Sequence, residues 1–132
     1  MKYTEKLRNS GLRPTKQRVQ ICNALFDEKK TFHFTVKDLA KKIQNKINSH
    51  ISLATVYNTV HAFEKKGYLK QIPINSNKIY FDTNVSEHHH FYDLDKNKLI
   101  DLNKCDVGPI NIKKKINGKK IKSVEVLVKL EN

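Results

Sequence analysis

The chain has 132 residues, of which 26 are Lys or Arg and 13 are Asp or Glu, giving a formal net charge of +13. This length allows one ordinary domain or two very small ones, and no apolar run approaches the roughly 18 residues of a membrane-spanning helix. The N-terminus has no apolar signal region and the two cysteines, Cys22 and Cys105, form no CxxC pair, which predicts a cytoplasmic protein with reduced thiols and no membrane partner.

The charge is distributed unevenly along the chain. Residues 1–74 hold 15 Lys or Arg against 5 Asp or Glu, whereas residues 75–132 hold 11 against 8. Between residues 82 and 106 the balance inverts, since three lysines stand among six acidic residues. A basic first half favours a polyanionic partner, and an acidic, histidine-bearing segment favours a cation.

The first three predicted helices are marked by their ends. KYTEKLRNSG predicts a short helix closed by Gly11. Pro14 and Thr15 predict a second helix with Thr15 as its N-cap, and a third is predicted in TVKDLAKKIQNKI, where Thr35 and Asp38 resemble a capping box. Apolar side chains recur at helical spacing, at Val19, Cys22, Leu25 and Phe26 in the second helix and at Val36, Leu39, Ala40, Ile43 and Ile47 in the third, where they form one stripe.

The segment SLATVYNTVHAFEKKG has the clearest helical pattern, with Ser52 as N-cap and Gly67 as stop. The pattern predicts a buried stripe of Leu53, Val56, Val60 and Phe63, with Ser52, Thr55, Asn58 and Thr59 projecting elsewhere. Two alternating segments, YLKQIPI and KIYFD, then predict a hairpin. Helices followed by a two-stranded ribbon predict a winged helix-turn-helix whose last helix enters the DNA major groove. The alternative is a small helical domain whose lysines are merely solvated.

The stretch SEHHHFYDLDKNKLID combines three adjacent histidines with carboxylates, a donor set that suits Zn, Fe or Mn. Alternation along a strand puts His88 and His90 on one face and His89 on the other. Asp82 precedes them by a short loop, and Asp101 lies on a segment that can pair back as a hairpin. The alternatives are a solvated polar run, a metal-dependent hydrolase and a metal-storage or chaperone protein. The hydrolase is disfavoured because no nucleophile or phosphate-loop motif accompanies the cluster.

Residues 108–132 have weaker patterns of secondary structure. GPINIKKKINGKKIKSVEVLVKLEN indicates a short basic helix or turn, followed by a strand with an inward-facing set of Val124, Val126, Val128 and Leu130. The predicted hinge between the two halves lies at residues 82–87. Together the elements predict an α+β protein with a winged helix over residues 1–83 and a small α/β domain over residues 84–132.

Three strings, GLRPTKQRVQICNAL, ISLATVYNTVHAFEKKG and HHHFYD, resemble the ferric uptake regulator family, and within it most closely the iron response regulator (Irr) branch. The resemblance implies a cytoplasmic homodimeric regulator that binds AT-rich palindromic DNA. It also implies that residues 1–83 bind DNA and that residues 84–132 form the dimerisation and metal-sensing domain.

The resemblance also implies residue roles. Tyr57 and Asn58 would contact the major groove together with Thr55, and Arg13 would reach the minor groove or the backbone. A tyrosine ring can pack on a thymine methyl group, and an asparagine can bond a base edge. The implied ligands of the regulatory divalent metal (Fe, Mn or Zn) are His33, Asp82, His88, His90 and Asp101.

The sequence departs from the family pattern at two places. Asp93 and Lys96 stand where many relatives carry the first thiolate pair of a structural zinc site, so no four-cysteine zinc is expected. His89 stands where some relatives carry an acid, which is the feature that points to the Irr branch. There the histidine triplet is implicated in haem binding, which would involve His88, His89 and His90.

Overall fold

The computed structural model describes residues 2–132. Its helices are Thr4–Asn9 (α1), Lys16–Phe26 (α2), Val36–Ile47 (α3) and Leu53–Lys66 (α4), and its strands are His33–Phe34 (β1), Lys70–Asn75 (β2), Lys78–Asp82 (β3), His89–Asp93 (β4), Lys98–Leu102 (β5) and Leu127–Leu130 (β6). The chain divides into two compact units, the first ending at Val85 and the second comprising Ser86–Asn132. None of the helices in residues 2–132 combines the length and hydrophobicity that crossing a membrane requires.

Local capping chemistry sets the helix ends, as the sequence predicts. The side chains of Thr15, Thr35 and Ser52 each accept a hydrogen bond from the backbone N–H three residues later, at 3.3, 3.2 and 3.4 Å. Gly11 and Gly67 follow α1 and α4 with φ of 78° and 89°, the left-handed conformation that ends a helix at little steric cost to glycine.

The first unit is built around one apolar core. Its fully buried members include Leu7, Ile21, Leu25, Leu39, Ile43, Val56, Val60 and Phe63. Two predictions for α4 are wrong: Leu53 is 46% exposed and Thr59 is fully buried. Leu53 is the first residue of the helix, whereas Thr59 lies on the same face as Val56 and Phe63. Thr59 can be buried because its hydroxyl donates to the Thr55 carbonyl at 2.7 Å.

The sheet of the first unit has the strand order β1-β3-β2, with both pairs antiparallel. The hairpin of β2 and β3 matches the prediction and contains an irregularity between Pro73 and Asn75. The two-residue strand β1 is an addition that the sequence patterns did not indicate. It places Phe34 opposite Phe81 and His33 opposite Asp82, so a predicted ligand between two helices becomes part of the sheet.

The sheet of the second unit has the strand order β5-β4-β6, with β4 antiparallel to β5 and parallel to β6. The predicted hairpin of β4 and β5 is present and pairs His90 with Asp101. The predicted alternation in the last strand is wrong: β6 begins only at Leu127, its first two residues are both half-buried, and Leu130 is exposed. An edge strand with a neighbour on one side only leaves both faces partly open, which weakens the two-residue period.

Residues 107–126 form no helix or strand. Of the two alternatives predicted there, the turn is right and the basic helix is wrong: the Lys119 N–H donates to the Ile116 carbonyl at 3.0 Å, and Gly118 has φ of 77°. Six lysines in this segment repel one another, and Gly118 disfavours a helix. The segment exposes four large apolar side chains, Ile110, Ile112, Ile116 and Ile121.

Candidate metal centre and DNA-binding face

Two of the predicted metal ligands, His33 and Asp82, meet in the sheet of the first unit. The His33 Nε2 atom lies 3.5 Å from Asp82 Oδ2, while Asp82 Oδ1 accepts the Asn84 N–H at 2.8 Å. Beside this pair, Thr83 Oγ1 accepts the Phe32 N–H at 2.9 Å and the Thr83 N–H donates to the Phe32 carbonyl at 3.1 Å. The ladder and the flanking bonds therefore hold both side chains at fixed positions.

The other three predicted ligands, His88, His90 and Asp101, meet in the second unit. The Nε2 atoms of His88 and His90 each lie 3.4 Å from Asp101 Oδ1, and the two imidazole rings are 4.5 Å apart at an angle of 59°. The His88 Nδ1–H group donates to the Ser86 carbonyl at 2.8 Å. This bond leaves Nε2 as the nitrogen that carries the lone pair, in the tautomer that ligating histidines commonly adopt.

Within each set, the distances between the imidazole nitrogen and the carboxylate oxygen fit two ligands of one metal ion. At 3.4–3.5 Å they exceed a good N–H···O bond of about 2.7–3.2 Å. Two ligands that are each about 2.1 Å from a tetrahedral ion lie about 3.4 Å apart. Imidazole nitrogens with carboxylate oxygens suit Fe, Mn or Zn, so the residues of each set fit a divalent transition metal.

His89 does not join the other two histidines of the triplet. It is only 3% exposed and lies opposite Leu102 in the β4–β5 register. Its Nδ1 atom accepts the Val126 N–H at 2.9 Å. The His89 side chain therefore bonds toward β6, whereas the Nε2 atoms of His88 and His90 face Asp101 Oδ1.

Asp93 and Lys96 take part in the turn that follows β4. Asp93 Oδ1 accepts the N–H groups of Asp95 and Lys96 at 3.0 and 3.1 Å, which closes the turn between β4 and β5. Asp95 Oδ2 accepts the Asn132 N–H at 2.7 Å and so holds the end of the described chain. The buried Cys22 is not a ligand candidate, because burial raises the pKa of its thiol to about 11.

The predicted DNA-contacting residues lie on the surface of the first unit. Tyr57 is 53% exposed and its ring stacks on His61, with centroids 5.7 Å apart and planes at 9°. Asn58 is exposed and Thr55 is half-buried on the first turns of α4. The exposed Arg13 directly precedes Pro14, and its carbonyl accepts a bond from the Arg18 guanidinium at 2.9 Å.

A shallow groove of about 340 Å³ extends this surface along α4. It is lined by Asn9, Ser10, Asn58, His61, Ala62, Lys65 and Lys66. His61, Lys65 and Lys66 carry no motif that would assign them a role from the sequence alone. Their spacing of three, seven and eight residues from Asn58 is the helical signal that places them on its face.

Comparison with known proteins shows the family and the fold of the chain. Residues 9–130 match the sequence profile of the ferric uptake regulator family. A ferric uptake regulation protein of Haemophilus ducreyi is 32% identical over 106 residues, covering 79% of this chain and 70% of that protein. A peroxide operon regulator of Bacillus subtilis is 31% identical over 98 residues, covering 74% of this chain and 66% of that protein. This chain thus spans about two thirds of the length of these relatives.

A solved structure has the same fold. The ferric uptake regulator of Pseudomonas aeruginosa with manganese superposes with a TM-score of 0.70 at 20% identity, covering all of this chain and 98% of the other. This likeness confirms the predicted α+β class with an N-terminal winged helix. The chain therefore belongs to the ferric uptake regulator family, a family of metal-responsive transcription regulators rather than enzymes.

Proposed function

We propose that this chain regulates transcription by binding operator DNA through α4, under the control of a divalent transition metal. The observation that carries the proposal is the pair of ligand sets, His33 with Asp82 and His88 and His90 with Asp101, in which each imidazole Nε2 lies 3.4–3.5 Å from a carboxylate oxygen. A hydrolase is set aside, since the family consists of regulators, and storage or carriage of metal would not require the exposed polar face of α4.

The proposed site joins the two sets around one ion. Two donors in the first unit and three in the second are each too few for the four to six ligands that Zn, Mn or Fe takes, whereas five donors nearly complete the shell. Because the units divide after Val85, a shared ion would couple the orientation of the DNA-binding unit to metal occupancy. Such coupling requires that one orientation bind the ion more tightly than the other.

The proposed DNA target is an AT-rich inverted repeat. The first half of the chain supplies the positive charge, and α4 presents Tyr57 for a thymine methyl group and Asn58 for a base edge. Thr55 on the first turn adds a short polar contact, and Arg13 is assigned to the backbone or the minor groove. The groove beside Asn58 supplies two further lysines for phosphate contacts.

The proposed assembly is a cytoplasmic homodimer, with residues 1–83 as the DNA-binding domain and residues 84–132 as the dimerisation and sensing domain. The second unit exposes Ile110, Ile112, Ile116 and Ile121 on one irregular segment. Exposed apolar side chains in such density favour coverage by another chain, and a symmetric dimer places the same segment on both sides of the interface.

The test is a DNA-binding titration carried out separately with Fe(II), Mn(II) and Zn(II). At least one ion is expected to change operator affinity, and His33→Ala is expected to remove that change while the second unit retains weaker metal binding. His88→Ala is expected to abolish binding at the site. Operator affinity that responds to none of the three ions would refute the regulatory proposal.

Membership of the Irr branch, with haem at the histidine triplet, is a finer hypothesis that ranks below the metal site. Histidine ligation of haem is chemically sound, and the triplet is the feature that favours it. However, His88, His89 and His90 are all buried, and His89 already accepts the Val126 N–H. Haem ligation by His89 would require that bond to break. Haem difference spectra of the wild type and of His89→Ala test the hypothesis.

A further inference from the structure

We infer that His89 is a positioning residue that fastens β6 to β4 and thereby holds His88 and His90 in their ligand arrangement. The inference rests on the proposed metal site, but its first step concerns only the metal-free fold. It gives the middle histidine a role that is neither metal ligation nor haem ligation.

Two consecutive residues of β4, His89 and His90, clamp a single residue of the C-terminal segment, Val126, by one hydrogen bond each. The Val126 N–H donates to His89 Nδ1 at 2.9 Å, and the Val126 carbonyl accepts the His90 N–H at 3.0 Å. The parallel ladder begins at the next residue, where His90 pairs with Leu127. The side-chain bond of His89 therefore lies at the point where β6 joins the sheet.

The chemistry of this position explains why a histidine suits it. Val126 is half-buried, so its N–H is stabilised by an acceptor within the protein, and His89 supplies one while only 3% of its own surface is exposed. Because Nδ1 accepts, the neutral ring carries its proton on Nε2. Alanine would remove the acceptor, and leucine would fill the space but leave the Val126 N–H unpaired.

The same clamp bears on the metal ligands because His89 lies between two of them. β4 is the central strand, with β5 on one side and β6 on the other. β5 supplies Asp101, whose Oδ1 atom lies 3.4 Å from both ligating nitrogens. Release of β6 would free one edge of β4, and small displacements of supporting groups weaken a metal site.

Three variants separate the acceptor from the bulk of the ring. Asparagine places its Oδ1 close to the position of Nδ1, so His89→Asn retains the acceptor. His89→Leu retains apolar bulk without it, and His89→Ala removes both. The measurements are amide hydrogen exchange of Val126 in the metal-free protein, and Mn(II) affinity by isothermal titration calorimetry.

For His89→Leu and His89→Ala, we expect Val126 exchange to accelerate about 10-fold or more and Mn(II) affinity to fall about 10-fold, the effect typical of an outer-shell partner. His89→Asn should restore both toward the wild-type values. Wild-type exchange in His89→Leu would overturn the clamp, and accelerated exchange with unchanged Mn(II) affinity would overturn the positioning role. An asparagine variant as impaired as the alanine variant would overturn the acceptor role.

A His88→Ala control distinguishes failure of this inference from failure of the metal site. If His88→Ala loses Mn(II) binding completely while His89→Leu only binds Mn(II) more weakly, His88 is a metal ligand and His89 is a positioning residue beside it. If His88→Ala binds Mn(II) like the wild type, the proposed metal site fails and the positioning role fails with it. The amide hydrogen exchange of Val126 in the metal-free protein still tests whether His89 holds Val126 by a hydrogen bond.

Discussion

His33 faces Asp82 directly across the β1–β3 ladder, with its Nε2 atom 3.5 Å from Asp82 Oδ2. The Asp82 carboxylate is 1% exposed, and a buried charge is costly unless hydrogen bonds or a cation compensate it. The Asn84 N–H satisfies one oxygen. The other oxygen faces the imidazole nitrogen, so a cation at this place would bind a preformed and already desolvated pair.

Neutralising this carboxylate should therefore damage metal binding more than folding. Asp82→Asn keeps the shape of the side chain but removes the charge, and we expect Mn(II) affinity to fall about 10- to 100-fold, on the scale of perturbed metal sites. Isothermal titration calorimetry measures the change. Asp106→Asn, at an exposed position of the second unit, is the matched control and should bind as the wild type does. Equal affinity of Asp82→Asn and the control would exclude Asp82 from the site.

The exposed residues of α4 should control base preference. Replacing Tyr57 or Asn58 with Ala should weaken operator binding by about 1–3 kcal/mol and relax the preference at the contacted bases. Replacing Lys65, which lines the groove beside Asn58, with Gln should instead weaken binding to all sequences alike and lower its salt dependence. Fluorescence anisotropy with the operator and with base-substituted duplexes separates the two patterns. Unchanged base preference in both α4 variants would exclude this helix from the major groove.

The helices of the first unit could be predicted closely because their ends depend on nearby residues. Thr15, Thr35 and Ser52 each bond an N–H only three positions away, so the capping residue and its partner are visible in one short string. The hairpin of β4 and β5 was predictable for the same reason, since alternating segments flank a polar turn.

The features that escaped prediction depend on contacts distant in sequence. The strand β1 has two residues and exists because β3 lies beside it, so its own letters carry almost no period. Thr59 was predicted to project away from the buried stripe, but α4 packs against α2 and α3 and Thr59 is fully buried, with its hydroxyl satisfied by the Thr55 carbonyl. The bond between His89 and Val126 joins strands whose parallel pairing no local pattern indicates.

The two cysteines should differ strongly in reactivity. Burial raises the pKa of the Cys22 thiol from 9.0 to about 11, so the neutral thiol is favoured in the fold. The corresponding stabilisation is present below the ordinary pKa and is lost as pH rises through about 11. Cys105 is exposed. At pH 8, iodoacetamide should add one group per native chain, at Cys105, and two after denaturation, as counted by mass spectrometry. Rapid double labelling of the native chain would contradict the buried assignment of Cys22.

Removal of metal should leave the protein folded, because groups other than a metal ion close the turn and hold the C-terminal residues. Asp93 caps the turn between β4 and β5 through two backbone N–H groups, and Asp95 binds the Asn132 N–H. In the first unit the apolar core needs no metal, and Asp82 keeps its bond from Asn84.

After exhaustive chelation, we therefore expect an unchanged far-ultraviolet circular dichroism spectrum and cooperative unfolding in urea, with elemental analysis showing less than one metal ion per ten chains. Asp95→Ala is the informative companion, because it removes the acceptor for Asn132 without touching a proposed metal ligand. It should accelerate amide exchange in β6 with or without metal. Loss of helical signal when the wild type is chelated would contradict this prediction, because it would show that a metal ion holds the fold together.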